Sequence, residues 1–251
     1  MLKALVTGAS SGIGRDIAKE LAKKNIDLIL VSRDLTKLEQ VKEQIKNVNV
    51  EVIAKDLSNE RNCIDLFEQV KNQKIDIVIN NAGFGAFGKF TEIPLEKELD
   101  MLKTNIFAMH ILTKLFLQKM KKEDSGYILN VASIAGFMPG PLMSAYYSSK
   151  AYVVRLTQSI KEELRREKSK VKVGVLCPGP VDTNFNNVAG VKFTVKPLSS
   201  EFVAKYTVNR ILKKKFYIIP GITIKTVRLL SKITPDTMMA KIAFNVQIRK
   251  K

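Results

Sequence analysis

Residues 144–150 read SAYYSSK, and the chemistry this stretch offers is that of a phenol beside an ammonium. On a helix, Tyr146 and Lys150 stand at i and i+4, about 40° apart, and Tyr147 and Lys150 at i and i+3, about 60° apart the other way. Both phenols share a face with the cation, so spacing alone leaves both open. A lysine cation favours phenolate and lowers a phenol pKa from its ordinary value of about 10. That is what a general acid/base near neutral pH requires. Other chemistries have little material to work with. His110 is the single histidine, which removes most metal sites and most His-dependent nucleophilic mechanisms. Cys63 and Cys177 lack metal spacing and read as thiols of the core. The stretch GASSG at 8–12 matches the GxSxG nucleophile elbow with Ser10 as nucleophile. That assignment needs His110 as base, on a predicted helix, and an elbow on the first strand of the chain, and it is set aside.

The elements that position these residues alternate regularly. Apolar strand-like runs, LKALVT, LILVS, VEVIA, IDIVIN, YILNV, VKVGVLC and FYIIP, are separated by helical patterns at 12–25, 36–46, 61–71, 105–121, 145–166 and 201–213. Strand–helix–strand repetition means parallel pairing. The expected class is therefore α/β: one domain over 1–251, a doubly wound parallel sheet of about seven strands with helices on both faces. The least regular parts are 184–197 and the tail after Gly221, and in such a sheet the loops beyond the strand C-termini build the site.

Composition is that of a soluble globular chain, 45% hydrophobic and 26% charged. The net charge of +18 invites a nucleic-acid reading. However, lysine outnumbers arginine, and the basic residues spread over nearly every predicted helix without aromatic interleaving, so no nucleic-acid partner is expected. They read as solvated faces, with part of the charge helping to draw in a polyanionic cofactor. Met1 runs directly into a strand without a signal-peptide pattern, and no apolar run approaches the roughly 18 residues of a spanning helix. A cytoplasmic location is expected.

The first strand ends in TGASSGIG, 7–14, followed by a helix. Glycines at 8, 12 and 14 permit a tight turn, close approach of backbone to a pyrophosphate, and helix packing on the sheet. The spacing is GxxxGxG, which alone is a modest signal, since such a turn can be purely structural. The stretch resembles the opening of the short-chain dehydrogenases/reductases. Further landmarks of that family follow in order over residues 1 to about 220: Asp56-Leu57 after the third strand, NNAG at 80–83, Asn105, Ser133, Tyr146 with Lys150, and PGPVDT at 178–183.

The resemblance implies a dinucleotide held by residues 1–100 and a catalytic half over 101–220. Gly8, Ser10, Ser11, Gly12, Ile13 and Gly14 would form the phosphate turn. Asp56 would hold the adenine amino group beside Leu57, Asn81, Ala82 and Gly83 would line the adenosine ribose, and Asn80 would brace the sheet. The family pattern YxxxK selects Tyr146, leaving Tyr147 a neighbouring pocket or interface residue. Reducing a ketone needs a hydride from the nicotinamide and a proton for the nascent alkoxide. Tyr146 would supply the proton, while Lys150 tunes it and holds the nicotinamide ribose. Ser133 can hydrogen-bond the carbonyl oxygen, or be a cap serine. Asn105 would hold a relay water, or be an N-cap. Pro178, Gly179, Val181 and Thr183 resemble the turn that holds the carboxamide.

The end of the second strand bears on cofactor choice. An acidic residue there favours NAD, whereas a 2′-phosphate needs a cation. Ser32 and Arg33 occupy it, and a guanidinium binds phosphate through two hydrogen bonds, so NADP(H) is expected over NAD(H). Asp34 would reverse this if it sat beside the ribose. Phe84, Phe87 and Phe90, with Phe137, Met138, Pro139 and Leu142, predict an apolar substrate side and a small hydrophobic carbonyl or alcohol as substrate. The tail over 221–251 alternates apolar residues with lysines and arginines. It reads as a lid, a subunit contact in a homodimer or homotetramer, or a weak membrane-surface element. An NADP(H)-binding regulatory protein that turns nothing over is the alternative, since fold alone does not establish activity.

Overall fold

A computed structural model describes residues 1–190 and 196–250. The strands are β1 (Lys3–Thr7), β2 (Asp27–Ser32), β3 (Val50–Ala54), β4 (Ile77–Asn80), β5 (Tyr127–Val131), β6 (Lys172–Leu176), the short β7 (Val181–Asp182) and β8 (Leu198–Ser199), and β9 (Tyr217–Ile218). All seven expected runs lie in one parallel sheet of order β3-β2-β1-β4-β5-β6-β9, while β7 and β8 pair separately. Order reverses between β1 and β4, and the crevice at the strand C-termini there is where doubly wound sheets bind ligands.

The helices are α1 (Gly12–Ala22), α2 (Leu35–Glu43), α3 (Glu60–Val70), α4 (Leu95–Leu102), α5 (Met109–Lys122), α6 (Ser144–Arg166), α7 (Phe185–Ala189), α8 (Ser200–Leu212), α9 (Ile222–Leu230) and α10 (Asp236–Gln247). They cover both faces of the sheet, so the central strands are apolar without alternation. In β1, Ala4 and Val6 face the core that includes Ile17, Leu21 and Val208, while Leu5 faces the core of Leu66, Leu112 and Phe116. Consecutive strand residues thus serve opposite layers. Among the described residues no helix is long and apolar enough to cross a membrane.

One helix differs from the sequence reading. The helix expected to begin at Asn105 begins at Leu95 as α4, passes through a π-helical turn over Lys103–Ala108, and continues as α5. Asn105 is buried inside that turn, so it is not an N-cap. Glu96 and Glu98 in the first turn complement the N-terminal dipole of α4, a start signal too short to separate from the surrounding loop.

Candidate active site

A cleft of about 620 Å³ runs along the C-terminal edge of the sheet. Its floor is the β1–α1 turn. Gly8 has φ +64, which favours glycine, and a Cβ on Gly14 would stand 2.3 Å from the Gly8 carbonyl oxygen. The turn is braced from β4. Asn81 Nδ2 donates to the carbonyls of Thr7 (3.0 Å) and Gly8 (3.2 Å), and Thr7 Oγ1 accepts from the backbone of Asn81 and Ala82, both at 3.0 Å. The two Gly-containing motifs therefore form one hydrogen-bonded unit. Gly14→Ala must push that unit apart. It is expected to cost about 1–3 kcal/mol, read by thermal unfolding.

At the end of β2, Ser32, Arg33, Asp34, Lys37 and Lys55 line the cleft. Asp34 caps α2: its carboxylate accepts from Lys37 N at 3.0 Å and pairs with Lys37 Nζ at 3.0 Å. Chiefly the backbone hydrogen bond from Lys37 holds its carboxyl below the usual range. Arg33 is exposed. Beyond β3, Asp56 Oδ1 accepts from the backbone and hydroxyl of Ser58 at 3.0 and 2.9 Å.

Ser133 follows β5 and caps a 3₁₀ turn over Ile134–Phe137, accepting from Ala135 N at 3.2 Å. Its hydroxyl donates to the Pro178 carbonyl at 3.4 Å, and it lines the cleft together with Tyr146. Burial pushes the Tyr146 phenol well above its ordinary pKa, and the neighbouring Ser133 hydroxyl partly counters this. Lys150, buried one helical turn on, donates from Nζ to the Val131 carbonyl at 3.0 Å. Its Nζ lies 5.8 Å from the Tyr146 ring centroid. Burial pulls its pKa down to about 8. Tyr147 has a different partner: its hydroxyl accepts from Gln247 Nε2 at 2.6 Å, and burial pushes it up to about 12.

These features can be set beside known proteins. A model of the short chain dehydrogenase family matches residues 3–191. An uncharacterized oxidoreductase of Staphylococcus epidermidis is 37% identical over 183 residues, covering 72% of this chain and 78% of the relative. The chain belongs to the short-chain dehydrogenase/reductase family. A short-chain dehydrogenase from Sphingobium yanoikuyae in complex with NADPH superposes with TM-score 0.83 at 26% identity, covering 93% of this chain and 97% of the other. A short-chain dehydrogenase/reductase from Burkholderia phymatum in complex with NAD gives 0.82 at 27%, covering 91% and 92%. The protein is thus an oxidoreductase of this family, and both nicotinamide cofactors occur among its neighbours.

Of the site residues expected for this short-chain dehydrogenase/reductase, all line the cleft except Gly14 and Asn105. Gly14 lies against the turn, as above. Asn105 acts from behind: it accepts from Phe84 N (3.0 Å) and donates to Phe84 O (2.9 Å) and Ser149 Oγ (3.1 Å). The π turn that carries it is a feature frequent at functional sites. Asn80 donates to Thr113 Oγ1 at 3.0 Å and Asn130 Oδ1 at 2.9 Å, inside the sheet layer. His110 lies outside the cleft and shares a 2.7 Å hydrogen bond with the Tyr152 hydroxyl.

The apolar wall is not the expected one. Of the seven residues read as its lining, only Phe84 lines the cleft, joined by Met143, Phe185 and Val188. Phe90 is 65% exposed, Phe137 packs against Tyr217 and Arg228, and Phe87 supports the wall from behind, packed with Met143. Phe185 and Val188 come from the irregular stretch after β6, where periodicity gives no signal. Met143 has only its place just before the helix of Tyr146. Part of the stretch flagged as irregular, 191–195, lies outside the described residues.

Proposed function

We propose that this protein is an NADP(H)-dependent oxidoreductase that interconverts a hydrophobic ketone and a secondary alcohol, with Tyr146 as general acid/base. The observation that carries this reading is the gathering of Ser133, Tyr146 and the buried Lys150 ammonium, its Nζ 5.8 Å from the Tyr146 ring centroid, in the same cleft as the braced glycine turn. The chain's own groups fit a dinucleotide. The turn, with Gly8 and Gly12 at positive φ, leads into the N-terminus of α1, which the Ser11 side chain does not cap, so its backbone N–H groups suit a pyrophosphate. Lys150 has three donors and one described acceptor, Val131 O, so a buried cation has N–H groups to offer the nicotinamide ribose. Asp56, Leu57 and Asn81 to Gly83 would hold the adenosine, and Pro178, Gly179, Val181 and Thr183 the carboxamide.

When bound, the nicotinamide supplies or accepts the hydride. Ser133 and Tyr146 hold the substrate oxygen, and their hydroxyls stabilise the charge it develops. Tyr146 gives its proton to that oxygen in reduction and takes it back in oxidation. Burial keeps the phenol protonated at neutral pH, which favours the donating role. Asn105 acts through others: by fixing Phe84 and Ser149 it positions the segment after Gly83 and the helix of Tyr146 and Lys150. Met143, Phe185 and Val188 with Phe84 make the substrate wall apolar and exclude water. Exposed Leu95, Leu99 and Phe107 would be covered by pairing of copies in a homodimer or homotetramer.

The preference for NADP(H) rests on Arg33, Lys37 and Lys55 at the end of the cleft, and on the engagement of the Asp34 carboxylate by α2. NADPH is expected to raise the melting temperature more than NADH at equal concentration, because a ligand stabilises according to its occupancy of the native state. Arg33→Ala is expected to narrow that gap. Equal shifts from the two cofactors in the wild type would count against the assignment.

A further inference from the structure

Helix α10 turns one set of side chains inward and another outward. Met239, Ala243 and Gln247, each one turn apart, are buried. Met238, Ile242 and Val246, each one residue earlier and so about 100° around the helix, are exposed, as are Leu229, Ile222 at 82% and Ile233 at 75%. Single exposed apolar residues need no explanation, but a set spread along two consecutive helices does. Cations are interspersed with it along the same helices: Lys225, Lys232, Lys241 and Arg249 are exposed, and Asp236 is the one acid in 222–250. The cations continue onto α8, where Arg210 lies 5.0 Å from the Tyr206 ring that Lys225 of α9 approaches to 6.0 Å.

We infer that α9 and α10 form a docking face for an anionic lipid bilayer surface. The charge argues against a second copy as occupant. Pairing this face with itself would bring like cations together across the contact, which is costly, on a chain of net charge +18. Anionic headgroups take the cations instead, and the acyl boundary takes the apolar side chains. The helices have 9 and 12 residues, far short of a span, so they would lie in the interface plane. The inner stripe of α10 reaches the cleft through the Gln247–Tyr147 bond. On the reading given above, docking would therefore bring the substrate side to the lipid boundary, where a lipophilic carbonyl dissolves.

The test is co-sedimentation of the full chain with vesicles of phosphatidylcholine alone or with about a third phosphatidylglycerol. Binding is read without catalysis, so its failure would leave the proposed reaction untouched. Sedimentation is expected with the anionic vesicles at low salt, with release as salt screens the contact, and little with phosphatidylcholine alone. The double variant Met238→Glu/Ile242→Glu is expected to lose about tenfold or more in bound fraction while keeping its melting temperature. Should that variant not fold, Lys232→Glu/Lys241→Glu, with both changes at exposed positions, is expected to lose binding likewise. The proposal is overturned if the wild type does not bind anionic vesicles at low salt, or if well-folded variants bind as well as the wild type. It is also overturned if Met238→Glu/Ile242→Glu splits a dimer and the wild type shows no vesicle binding, which would make a second copy the occupant.

Discussion

Tyr146→Phe is expected to keep the fold and NADPH binding and to lose about two to four orders of magnitude in turnover, the usual worth of a positioned acid–base group. The ring still packs against Phe185, but the substrate oxygen would lose the proton source proposed for it. Tyr147→Phe is expected to act on stability instead. It leaves the buried Gln247 amide without the phenol that accepts from it, a cost of about 1–3 kcal/mol, with turnover changed little. Steady-state kinetics and thermal unfolding on both variants separate the two effects. A dead Tyr147→Phe beside an active Tyr146→Phe would make the i, i+3 pair the catalytic one.

Lys150→Met is expected to lose both turnover and cofactor affinity, because one ammonium is assigned to the phenol and to the ribose together. A loss of about a hundredfold or more in turnover is expected, with a smaller NADPH-induced rise in melting temperature. The same variant carries a pH signature in the ligand-free protein. Lys150 has a folded pKa of about 8, lowered by burial, against about 10.4 when unfolded. Between these values the unfolded chain binds more protons, so this residue's contribution to stability rises with pH. Below about 8 both states are protonated and the desolvation cost is carried in full. The wild type is therefore expected to gain stability relative to Lys150→Met as pH rises from 8 toward 10, measured by denaturant unfolding of both proteins. A difference that stays constant over that range would contradict a buried, perturbed ammonium.

The sheet was legible because its strands are buried on both faces. LILV is a continuous apolar run of strand length, and Gly8, Asn81 and Pro178 follow the ends of three strands at the cleft. Residues such as Gly8, Asn81, Ser133 and Pro178 share one edge because every strand points the same way, so their order in sequence already implied a common site. What remained hidden depends on contacts between distant segments. The π turn around Asn105 is fixed by hydrogen bonds to Phe84 and Ser149, which no local pattern encodes. The apolar wall of the cleft draws Phe185 and Val188 from a stretch without periodicity, whereas Phe137, prominent in sequence, is claimed by Tyr217 and Arg228. The Gln247–Tyr147 contact spans 100 residues. It answers what the second tyrosine does in a way the SAYYSSK stretch itself could not. The direction of the Asp34 side chain turned on a cap, and an aspartate just before a helical run is a recognisable capping signal.

If the cleft transfers hydride between NADPH and a hydrophobic carbonyl, nucleotide consumed and alcohol formed must match in stoichiometry. NADPH consumed and alcohol formed are to be quantified together over a panel of aryl alkyl, alicyclic and long-chain ketones. The account predicts consumption of one NADPH per alcohol formed with at least one apolar ketone, slower use of NADH, and neither product nor consumption with Tyr146→Phe. Tight NADPH binding, seen as a rise in melting temperature, without consumption by any carbonyl in the panel would contradict it and leave a nucleotide-binding protein that turns nothing over.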